Sequence, residues 1–326
     1  MATLRKILSF YTRFTPSYSA IGYNFRRSAW RSFSTDFSGQ TWLVNGGSEG
    51  IGSSTARTAA EGGATVIVVG RSAEKLAAFA ASVRGPGQVH QESVDFSVQA
   101  DVWKFVDRLE QRGVRIDVLV NNVGAMKNQL IISPEGYETS FSMNLQSHYL
   151  FVRELIARDM LADDAVVVEV SSGGMYNHPL LVSKLNNTGP DYEGVRAYGL
   201  AKRGQVVLTR YWRERHGRNG RSFYAMHPGW VDTAGVRRTM PRFRRILKSV
   251  LRDDAQGADT IVWLAATRPD QKRDEAIWFD RKERGVHIYA HTPNSPDTAE
   301  DLVDFLERNA NLLPEAGQAA AVRAAR

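Results

Sequence analysis

Short apolar runs alternate with longer stretches of helical periodicity from about residue 40 onward. Buried parallel strands are typically continuous runs of Val, Ile and Leu, and three segments read TVIVV, VLV and AVVVEV. The predicted strands are Thr41–Asn45, Thr65–Val69, Val89–Val94, Val118–Asn121, Ala165–Ser171, Ser222–Ala225 and Ala276–Phe279. The predicted helices are Ser53–Glu61, Ala73–Val83, Val98–Gln111, Glu138–Asp159 and Tyr198–His216. Strands that alternate with helices in this way predict βαβ units around a parallel sheet.

This order of elements predicts an α/β fold, a Rossmann-type doubly wound parallel sheet of about seven strands with helices on both faces. No internal repeat and no Pro, Gly or Ser-rich linker divides the body of the chain. We therefore expect a basic N-terminal helical extension over residues 1–36, one domain over residues 37–313, and a tail rich in Ala and Arg over residues 314–326.

Composition narrows the classes of function. The chain has 326 residues, of which 43% are hydrophobic and 24% charged, as in an ordinary globular domain. The absence of cysteine excludes thiolate catalysis, disulfides and cysteine-held metal centres, and we predict no metal site. A net charge of +7 is compatible with an anionic small ligand, an anionic membrane or nucleic acid. No zinc-finger spacing or RNP-like strand is present, so nucleic acid is not an expected partner.

Residues 1–35 contain six Lys or Arg residues and no Asp or Glu. Leu4, Ile7, Leu8 and Tyr11 recur there at helical spacing. We favour a helix packed on the domain, while peripheral contact with an anionic membrane and a cleaved mitochondrial presequence remain alternatives. The expected location is accordingly cytoplasmic and membrane-associated, with a mitochondrial location as the alternative.

The first predicted strand runs into the segment NGGSEGIG at residues 45–52, and a predicted helix follows. Glycine in such a turn allows a pyrophosphate to approach the backbone, and the helix N-terminus supplies N–H donors. The spacing is Gly-x3-Gly-x-Gly, which differs from the commoner GxGxxG fingerprint. The loop therefore predicts a dinucleotide site. Its predicted contacts are Gly46, Ser48, Gly50, Ile51 and Gly52.

Arg71, directly after the second strand, predicts which dinucleotide is bound. An arginine at this place can accommodate a 2′-phosphate, so the sequence favours NADP(H) over NAD(H). Asp95, after the third strand, is a candidate contact for the adenine. Glu49 weakens the preference for NADP(H), because a carboxylate that pointed into the loop would repel a 2′-phosphate.

Tyr198 and Lys202 lie four residues apart on a predicted helix and so share one face. A nearby ammonium favours the phenolate and would lower the tyrosine pKa, which suits proton exchange. Ser171 and Ser172 end a predicted strand at the edge where such sheets bind ligands. Asn144 lies in the preceding predicted helix.

In their order and placement these residues resemble the short-chain dehydrogenase/reductase superfamily, in its classical subgroup, over about residues 39–290. The resemblance implies hydride transfer between NADP(H) and a small-molecule alcohol or carbonyl compound. It implies that Tyr198 exchanges the proton, that Lys202 lowers the Tyr198 pKa and binds the nicotinamide ribose, and that Ser172 positions the substrate. Asn144 would help hold a water-linked proton relay.

Three further residues acquire roles from this resemblance. Asn122 and Gly124 would line the adenine–ribose side of the cofactor, and Thr233 would contact the nicotinamide carboxamide. Members of the superfamily often form dimers or tetramers, so a homo-oligomer is left open. A catalytically weak NADP(H)-binding regulator or membrane-associated scaffold on the same frame is the alternative function.

Segments such as SSGGM at 171–175 and HPGW at 227–230 further resemble the dehydrogenase/reductase SDR family member 12 group, whose members carry a similar N-terminal extension. Two departures from the superfamily pattern stand out. Asn45 replaces the usual Thr, and 25 residues separate Ser172 from Tyr198, about twice the usual interval. We expect this insert to form one wall of the substrate site, and Gly235–Leu251 to form a lid over a lipophilic substrate.

Overall fold

One eight-stranded sheet forms the centre of the computed structural model, which describes residue 12, residues 14–217 and residues 220–310. The strands are β1 Thr41–Asn45, β2 Thr65–Gly70, β3 Gln88–Ser93, β4 Ile116–Asn121, β5 Leu161–Val170, β6 Ser222–Met226, β7 Ile277–Phe279 and β8 Lys282–Arg284. Their order across the sheet is β3-β2-β1-β4-β5-β6-β7-β8. The strand order therefore reverses between β1 and β4. This reversal opens a crevice at the carboxyl ends of these two strands, and doubly wound folds bind their ligands in that crevice.

Helices cover both faces of the sheet. They are α1 Ala20–Arg27, α2 Gly50–Glu61, α3 Ala73–Ser82, α4 Gln99–Gln111, α5 Thr139–Phe141, α6 Ser147–Ala157, α7 Gly194–His216, α8 Ala234–Thr239, α9 Pro241–Leu247, α10 Asp254–Thr267 and α11 Ala299–Ala310. A π-helical turn, Ser142–Gln146, joins α5 to α6. Two 3₁₀ turns, Gly173–Asn177 and Val182–Lys184, lie between β5 and α7.

The predicted Rossmann-type fold is confirmed, with one addition at the edge of the sheet. All neighbouring strands pair in parallel except β7 and β8, which form an antiparallel hairpin. The two residues of its turn, Asp280 and Arg281, have φ values of +51° and +56°. Asp is common at the first central position of such turns but Gly is usual at the second, and Arg281 in that place weakens the sequence signal for the eighth strand.

The two faces of the sheet bury different residues of the same strands. On one face Leu43 and Leu119 pack with α4, α6 and α7, and on the other Val44 and Val118 pack with α2 and α10. Successive side chains of a strand point to opposite faces, so strands buried on both sides are apolar throughout. This is why the central strands could be located from continuous apolar runs.

The described part of the N-terminal extension packs on the domain, as we favoured. Tyr23 is 3% exposed, and the Arg26 guanidinium donates to the Asp280 carboxylate at 2.7 Å. Further along, Phe37 packs on Trp42 with ring centroids 4.7 Å apart. No helix of the described residues is long and apolar enough to cross a membrane. The apolar pattern of residues 4–11 and the tail at 314–326 lie outside the described residues, and the division into three parts stays a prediction.

Candidate active site

The loop between β1 and α2 has the geometry of a phosphate cradle. Gly46 and Gly50 have φ values of +67° and +66°, in the region that favours glycine. At Gly52 a Cβ would lie 2.2 Å from the Gly46 carbonyl oxygen, and at Gly47 a Cβ would lie 2.6 Å from Val68. The glycines are therefore needed for the course of the loop itself.

Asn45 holds this loop against the next strand of the sheet. Its Oδ1 accepts hydrogen bonds from the backbone N–H groups of Asn122 and Val123, each at 2.6 Å. The Asn122 Nδ2 donates to the carbonyl oxygens of Asn45 and Gly46, at 3.2 and 3.1 Å. The structure thus places Asn122 as a support of the glycine loop, and Asn45 bonds the backbone as the usual Thr would.

The N-terminus of α2 suits an anionic group. Its N-cap residue, Glu49, makes no side-chain capping bond, so that bond does not occupy the first N–H groups of the helix. The Glu49 carboxylate instead accepts from the Lys75 ammonium at 2.7 Å on the surface. The glycine cradle and the helix N-terminus together fit the pyrophosphate of a dinucleotide, and the Glu49 charge is offset by Lys75.

Arg71 and Asp95 stand beside each other at the carboxyl ends of β2 and β3. The Arg71 guanidinium lies 4.0 Å from the Asp95 carboxylate and is 59% exposed. The Asp95 Oδ1 accepts from the backbone N–H and the hydroxyl of Ser97, at 2.8 and 2.7 Å. Asp95 is therefore fixed by its own loop, whereas Arg71 is loosely paired at the mouth of the dinucleotide crevice.

Ser172 and Tyr198 lie beside each other at the carboxyl end of β5, near enough for the serine hydroxyl to affect the tyrosine pKa. Burial raises the pKa of the Tyr198 phenol above its ordinary value, and the Ser172 hydroxyl opposes this rise. The Ser172 Oγ also accepts from the Gly174 N–H at 3.3 Å. The neighbouring Ser171 points elsewhere, since its hydroxyl donates to the Lys202 carbonyl oxygen at 2.8 Å.

Lys202 lies one turn along α7 from Tyr198, with its Nζ 5.5 Å from the centroid of the tyrosine ring. The ammonium donates to the Val170 carbonyl oxygen at 2.9 Å. Burial lowers the Lys202 pKa to about 8, partly offset by the Glu169 carboxylate. At Tyr198 burial is the largest influence on the pKa and Ser172 opposes it, and the expected effect of Lys202 on this pKa stays a prediction.

Asn144 lies in the π-helical turn, a feature common at functional sites. Its Oδ1 accepts from the Ala125 N–H at 3.1 Å, and its Nδ2 donates to the Ala125 carbonyl oxygen at 2.9 Å. A Cβ at Gly124 would lie 2.6 Å from that Oδ1 and 3.2 Å from the Lys202 Nζ. The missing side chain of Gly124 therefore leaves room for both Asn144 and Lys202 behind the site.

A buried polar network that the sequence did not reveal joins this region to the glycine loop. The Asn45 Nδ2 donates to the Asn121 Oδ1 at 2.8 Å, and the Asn121 Nδ2 donates to the Glu169 carboxylate at 3.1 Å. The other Glu169 oxygen lies 2.6 Å from the His148 Nδ1. Gln205 completes the network by donating to the Asn144 carbonyl oxygen at 2.7 Å. These hydrogen bonds tie the ends of the strands together beneath the site, although the buried His148 Nε2 and Gln205 Oε1 have no hydrogen-bond partner among the described residues.

A cavity of about 520 Å³ opens above Ser172 and Tyr198. Gly124, Ile51 and Thr233 also line this cavity, so several of the predicted site residues converge on one space. The Thr233 Oγ1 accepts from the Val236 N–H at 3.3 Å and thereby caps α8. Of the described residues, none that lines this cavity carries a formal charge.

The predicted wall and lid both contribute to the cavity, although only with part of their length. Tyr176 and Asn177, at the start of the insert, line it, whereas Val182 is anchored to the Asp297 carboxylate at 2.8 Å. In the predicted lid, Met240 and Phe243 line the cavity. The chain bends at Met240 because Pro241 begins a separate helix, so the lid consists of two short helices.

Three residues at the site were not expected from the sequence. Phe14 and Tyr18, from the N-terminal extension, line the catalytic cavity. The third, Asp254, places its Oδ1 3.8 Å from where a Cβ of Gly50 would lie. Burial raises the pKa of the Asp254 carboxyl, and its buried Oδ1 has no hydrogen-bond partner among the described residues.

A glycine cradle, a helix N-terminus and a Ser–Tyr pair beside a buried lysine define the class of protein, a Rossmann-type dinucleotide-dependent oxidoreductase. The family model for short chain dehydrogenases matches residues 40–242. The chain therefore belongs to the short-chain dehydrogenase/reductase family and is an NAD(P)-dependent oxidoreductase of alcohol and carbonyl groups. The predicted superfamily and enzyme class are confirmed.

Relatives of this chain include dehydrogenase/reductase SDR family member 12 of Bos taurus, which is 36% identical over 302 residues, 87% of this chain and 93% of that protein. Retinol dehydrogenase 12 of Mus musculus is 28% identical over 269 residues, 79% of this chain and 83% of that protein. Among solved structures, a citronellol catabolism dehydrogenase of Pseudomonas aeruginosa PAO1 is 27% identical, with a TM-score of 0.55 over 74% of this chain and 92% of that chain. The predicted likeness to the member 12 group is thus confirmed.

Proposed function

We propose that this chain interconverts an uncharged, lipophilic alcohol and its ketone or aldehyde with NADP(H), and that Tyr198 donates or accepts the proton. The observation that carries the proposal is the Ser172–Tyr198 pair at the floor of a cavity whose described lining is free of charged side chains. Two relatives have names that refer to apolar alcohols, retinol and citronellol, which supports the same substrate class.

In the reduction direction, the Tyr198 Oη donates its proton to the substrate oxygen as negative charge develops there. Ser172 donates a hydrogen bond to the same oxygen and holds it beside the phenol. A bound nicotinamide supplies or accepts the hydride. Burial raises the Tyr198 pKa and so keeps the phenol protonated at neutral pH, which is the form that reduction requires.

Lys202 and Asn144 support this chemistry from behind the tyrosine. The buried Lys202 ammonium would bind the nicotinamide ribose, and its pKa of about 8 lets it take part in proton movement near neutrality. Asn144 fixes the Ala125 backbone through a pair of hydrogen bonds, at 3.1 and 2.9 Å. We assign Asn144 to the positioning of Lys202 and of the proton relay.

The preference for NADP(H) rests on Arg71 and on the neutralisation of Glu49. The Arg71 guanidinium is free to turn from the Asp95 carboxylate, 4.0 Å away, toward a 2′-phosphate. Lys75 binds the Glu49 carboxylate at 2.7 Å, which reduces the repulsion between this carboxylate and a phosphate. Gly46, Ser48, Gly50, Ile51 and Gly52 are the proposed cradle of the remaining phosphates.

Substitution of Tyr198 by Phe tests the proposal. We expect the turnover number for carbonyl reduction to fall about 10²- to 10⁴-fold, the usual contribution of a general acid, while the dissociation constant for NADPH changes less than about twofold. Full activity in this variant would refute the mechanism. Tight NADPH binding by the native chain, without hydride transfer to any carbonyl of a broad panel, would favour the regulator or scaffold instead.

We also propose a cytoplasmic location in peripheral contact with an anionic membrane, through residues 1–35. On α1, Phe25 is 80% and Ile21 is 56% exposed. Ile246 of α9 is 64% exposed, and Arg245 and Lys248 flank it. Exposed apolar side chains among cations are typical of helices that lie in a lipid interface.

Flotation with phosphatidylcholine vesicles, with and without phosphatidylserine, tests this contact. We expect binding only to the anionic vesicles, and its loss when Phe25 and Ile246 are both replaced by Ser. Equal binding to both kinds of vesicle, by the native chain and by the double variant alike, would contradict the proposal. Co-fractionation of the native protein with mitochondria would favour the alternative location.

A further inference from the structure

Four aromatic rings form an unbroken line along one side of the catalytic cavity. Phe14 packs on Tyr18 with centroids 5.0 Å apart, Tyr18 packs on Trp230 at 5.8 Å, and Trp230 packs on Phe243 at 5.1 Å. All four residues line the cavity, and we refer to them as the aromatic wall. The wall joins the N-terminal extension to the lid helix α9, although these segments are more than 200 positions apart in the sequence.

Tyr18 is held directly against the loop that carries Ser172. The backbone N–H of Trp230 donates to the Tyr18 carbonyl oxygen at 2.9 Å, and a Cβ at Gly229 would lie 2.7 Å from the same oxygen. At Gly173, the residue after Ser172, a Cβ would approach the Tyr18 ring to 3.1 Å. Two glycines thus allow the ring to stand close to the reacting end of the cavity.

An ion cluster fixes the extension in this place. Arg252 makes a bidentate pair with the Asp280 carboxylate, at 2.6 and 2.8 Å, and both side chains are 1% exposed. Arg252 also donates to the carbonyl oxygens of Ser17 and Ser19, each at 3.3 Å. The backbone on either side of Tyr18 is therefore bound to the domain, which fixes the place of Tyr18 in the wall.

The chemistry of this wall points to a flat ligand. Aromatic rings interact with other π systems through defined stacked or edge-to-face contacts, which add affinity beyond the burial of apolar area. A saturated ring of the same size buries similar area but cannot make these contacts. The described lining residues carry no formal charge and so offer no counter-charge to an ionised substituent, whose burial without a partner is costly.

We propose that the aromatic wall recognises a planar, uncharged ring system attached to the reacting carbonyl carbon, and that Phe14 and Tyr18 determine this specificity. The inference rests on the proposed function, since it takes the reacting carbon to lie beside Tyr198. It assigns a role in substrate selection to a segment that precedes the first strand of the fold.

A matched pair of ketones tests the inference on the full-length chain. The probes are 2-acetylnaphthalene, which is planar, and 2-acetyldecahydronaphthalene, which has the same carbon skeleton in saturated form. Dissociation constants for both are measured by calorimetry in the presence of NADP⁺, and turnover is followed separately by oxidation of NADPH. We expect the native chain to bind the planar ketone about tenfold more tightly, as several ring contacts each contribute about two- to tenfold.

The variants Phe14→Leu and Tyr18→Leu keep apolar volume but remove a ring. Each is expected to reduce the preference for the planar ketone about two- to tenfold. Tyr18→Phe should retain the preference, because it restores the ring. Phe25→Leu is the matched control, since Phe25 belongs to the same extension, is 80% exposed and does not line the cavity.

The outcomes separate this inference from the proposed function. Equal binding of the two ketones by the native chain, or full preference in both leucine variants, would overturn the inference even if both ketones are reduced. Planar preference that depends on Phe14 and Tyr18, without turnover of either ketone, would support the wall and count against the proposed reductase. Circular dichroism of the leucine variants verifies that the fold is intact.

Discussion

The cofactor half and the substrate half of this site are built in different ways. The phosphate cradle comes from one continuous segment, residues 45–52, supported by short stretches at the ends of neighbouring strands. The substrate cavity is assembled from the N-terminal extension, the insert after β5, the lid helices and the chain near residue 289. A phosphate is bound by backbone N–H groups at fixed spacing, whereas an apolar cavity needs only side-chain surface from any segment that folds over it.

The largest effect is expected at the anchor of the substrate half. Asp280→Asn would leave the buried Arg252 guanidinium without its counter-charge, and the free energy of unfolding should fall by about 3–5 kcal/mol. Urea denaturation measures the change. Asp163→Asn is the matched control, because Asp163 pairs with Arg115 on the surface, where its side chain is 88% exposed, and should change stability by less than about 1 kcal/mol. Equal effects of the two substitutions would show that the cluster is not an anchor.

A single added methyl group in the phosphate cradle should disturb the cofactor half more than it would disturb the substrate half. In Gly52→Ala the new Cβ would lie 2.2 Å from the Gly46 carbonyl oxygen, so the cradle must open. Overpacking of this kind costs about 1–3 kcal/mol, which corresponds to up to about a hundredfold weaker NADPH binding in a fluorescence titration. Gly285→Ala, where the nearest atom would be 3.8 Å away, should bind NADPH normally. Unchanged NADPH affinity in Gly52→Ala would place the phosphates elsewhere.

Arg71→Ala sharpens the comparison within the cofactor half. Arg71 is 59% exposed, so solvent weakens its contact with a phosphate, and we expect about tenfold weaker NADPH binding. The affinity for NADH, which lacks the 2′-phosphate, should remain within about twofold. Parallel titrations of the native chain and the variant with NADPH and with NADH measure the two changes in affinity. An equal loss for NADH and NADPH would mean that Arg71 is a surface cation with no part in cofactor choice.

The smallest expected effect is at Asp254, whose carboxyl lies beside Gly50 of the cradle. Its pKa is raised by burial, and it loses its proton as the pH rises through this raised value, so NADPH binding should weaken over that range. Unit charges about 6 Å apart in water repel by about 0.7 kcal/mol, which predicts about threefold tighter NADPH binding by Asp254→Asn at neutral pH. Titrations across pH should be flatter for the variant, and an identical pH profile would exclude the interaction.

Tyr198 illustrates how far a motif can be interpreted before the structure is known. The Tyr198–Lys202 spacing predicted the shared helix face, and the two side chains do lie together. The direction of the Tyr198 pKa was not predictable, because it depends on burial, which is fixed by segments packed over the site. The same holds for Glu49, where the sequence could not indicate that Lys75, 26 positions later, binds the carboxylate.

The sequence by itself determined the parallel sheet, the glycine cradle and the Ser–Tyr–Lys set, because these depend on local periodicity and on motifs that follow individual strands. Only the tertiary structure decided that Phe14 and Tyr18 line the cavity, that β8 adds an antiparallel edge, and that Glu169 and His148 lie beneath the site. The physical reason is that burial, ring stacking and buried charge pairs are properties of contacts between segments. Contacts between distant segments produce no periodic pattern in the sequence, so the sequence alone does not predict them.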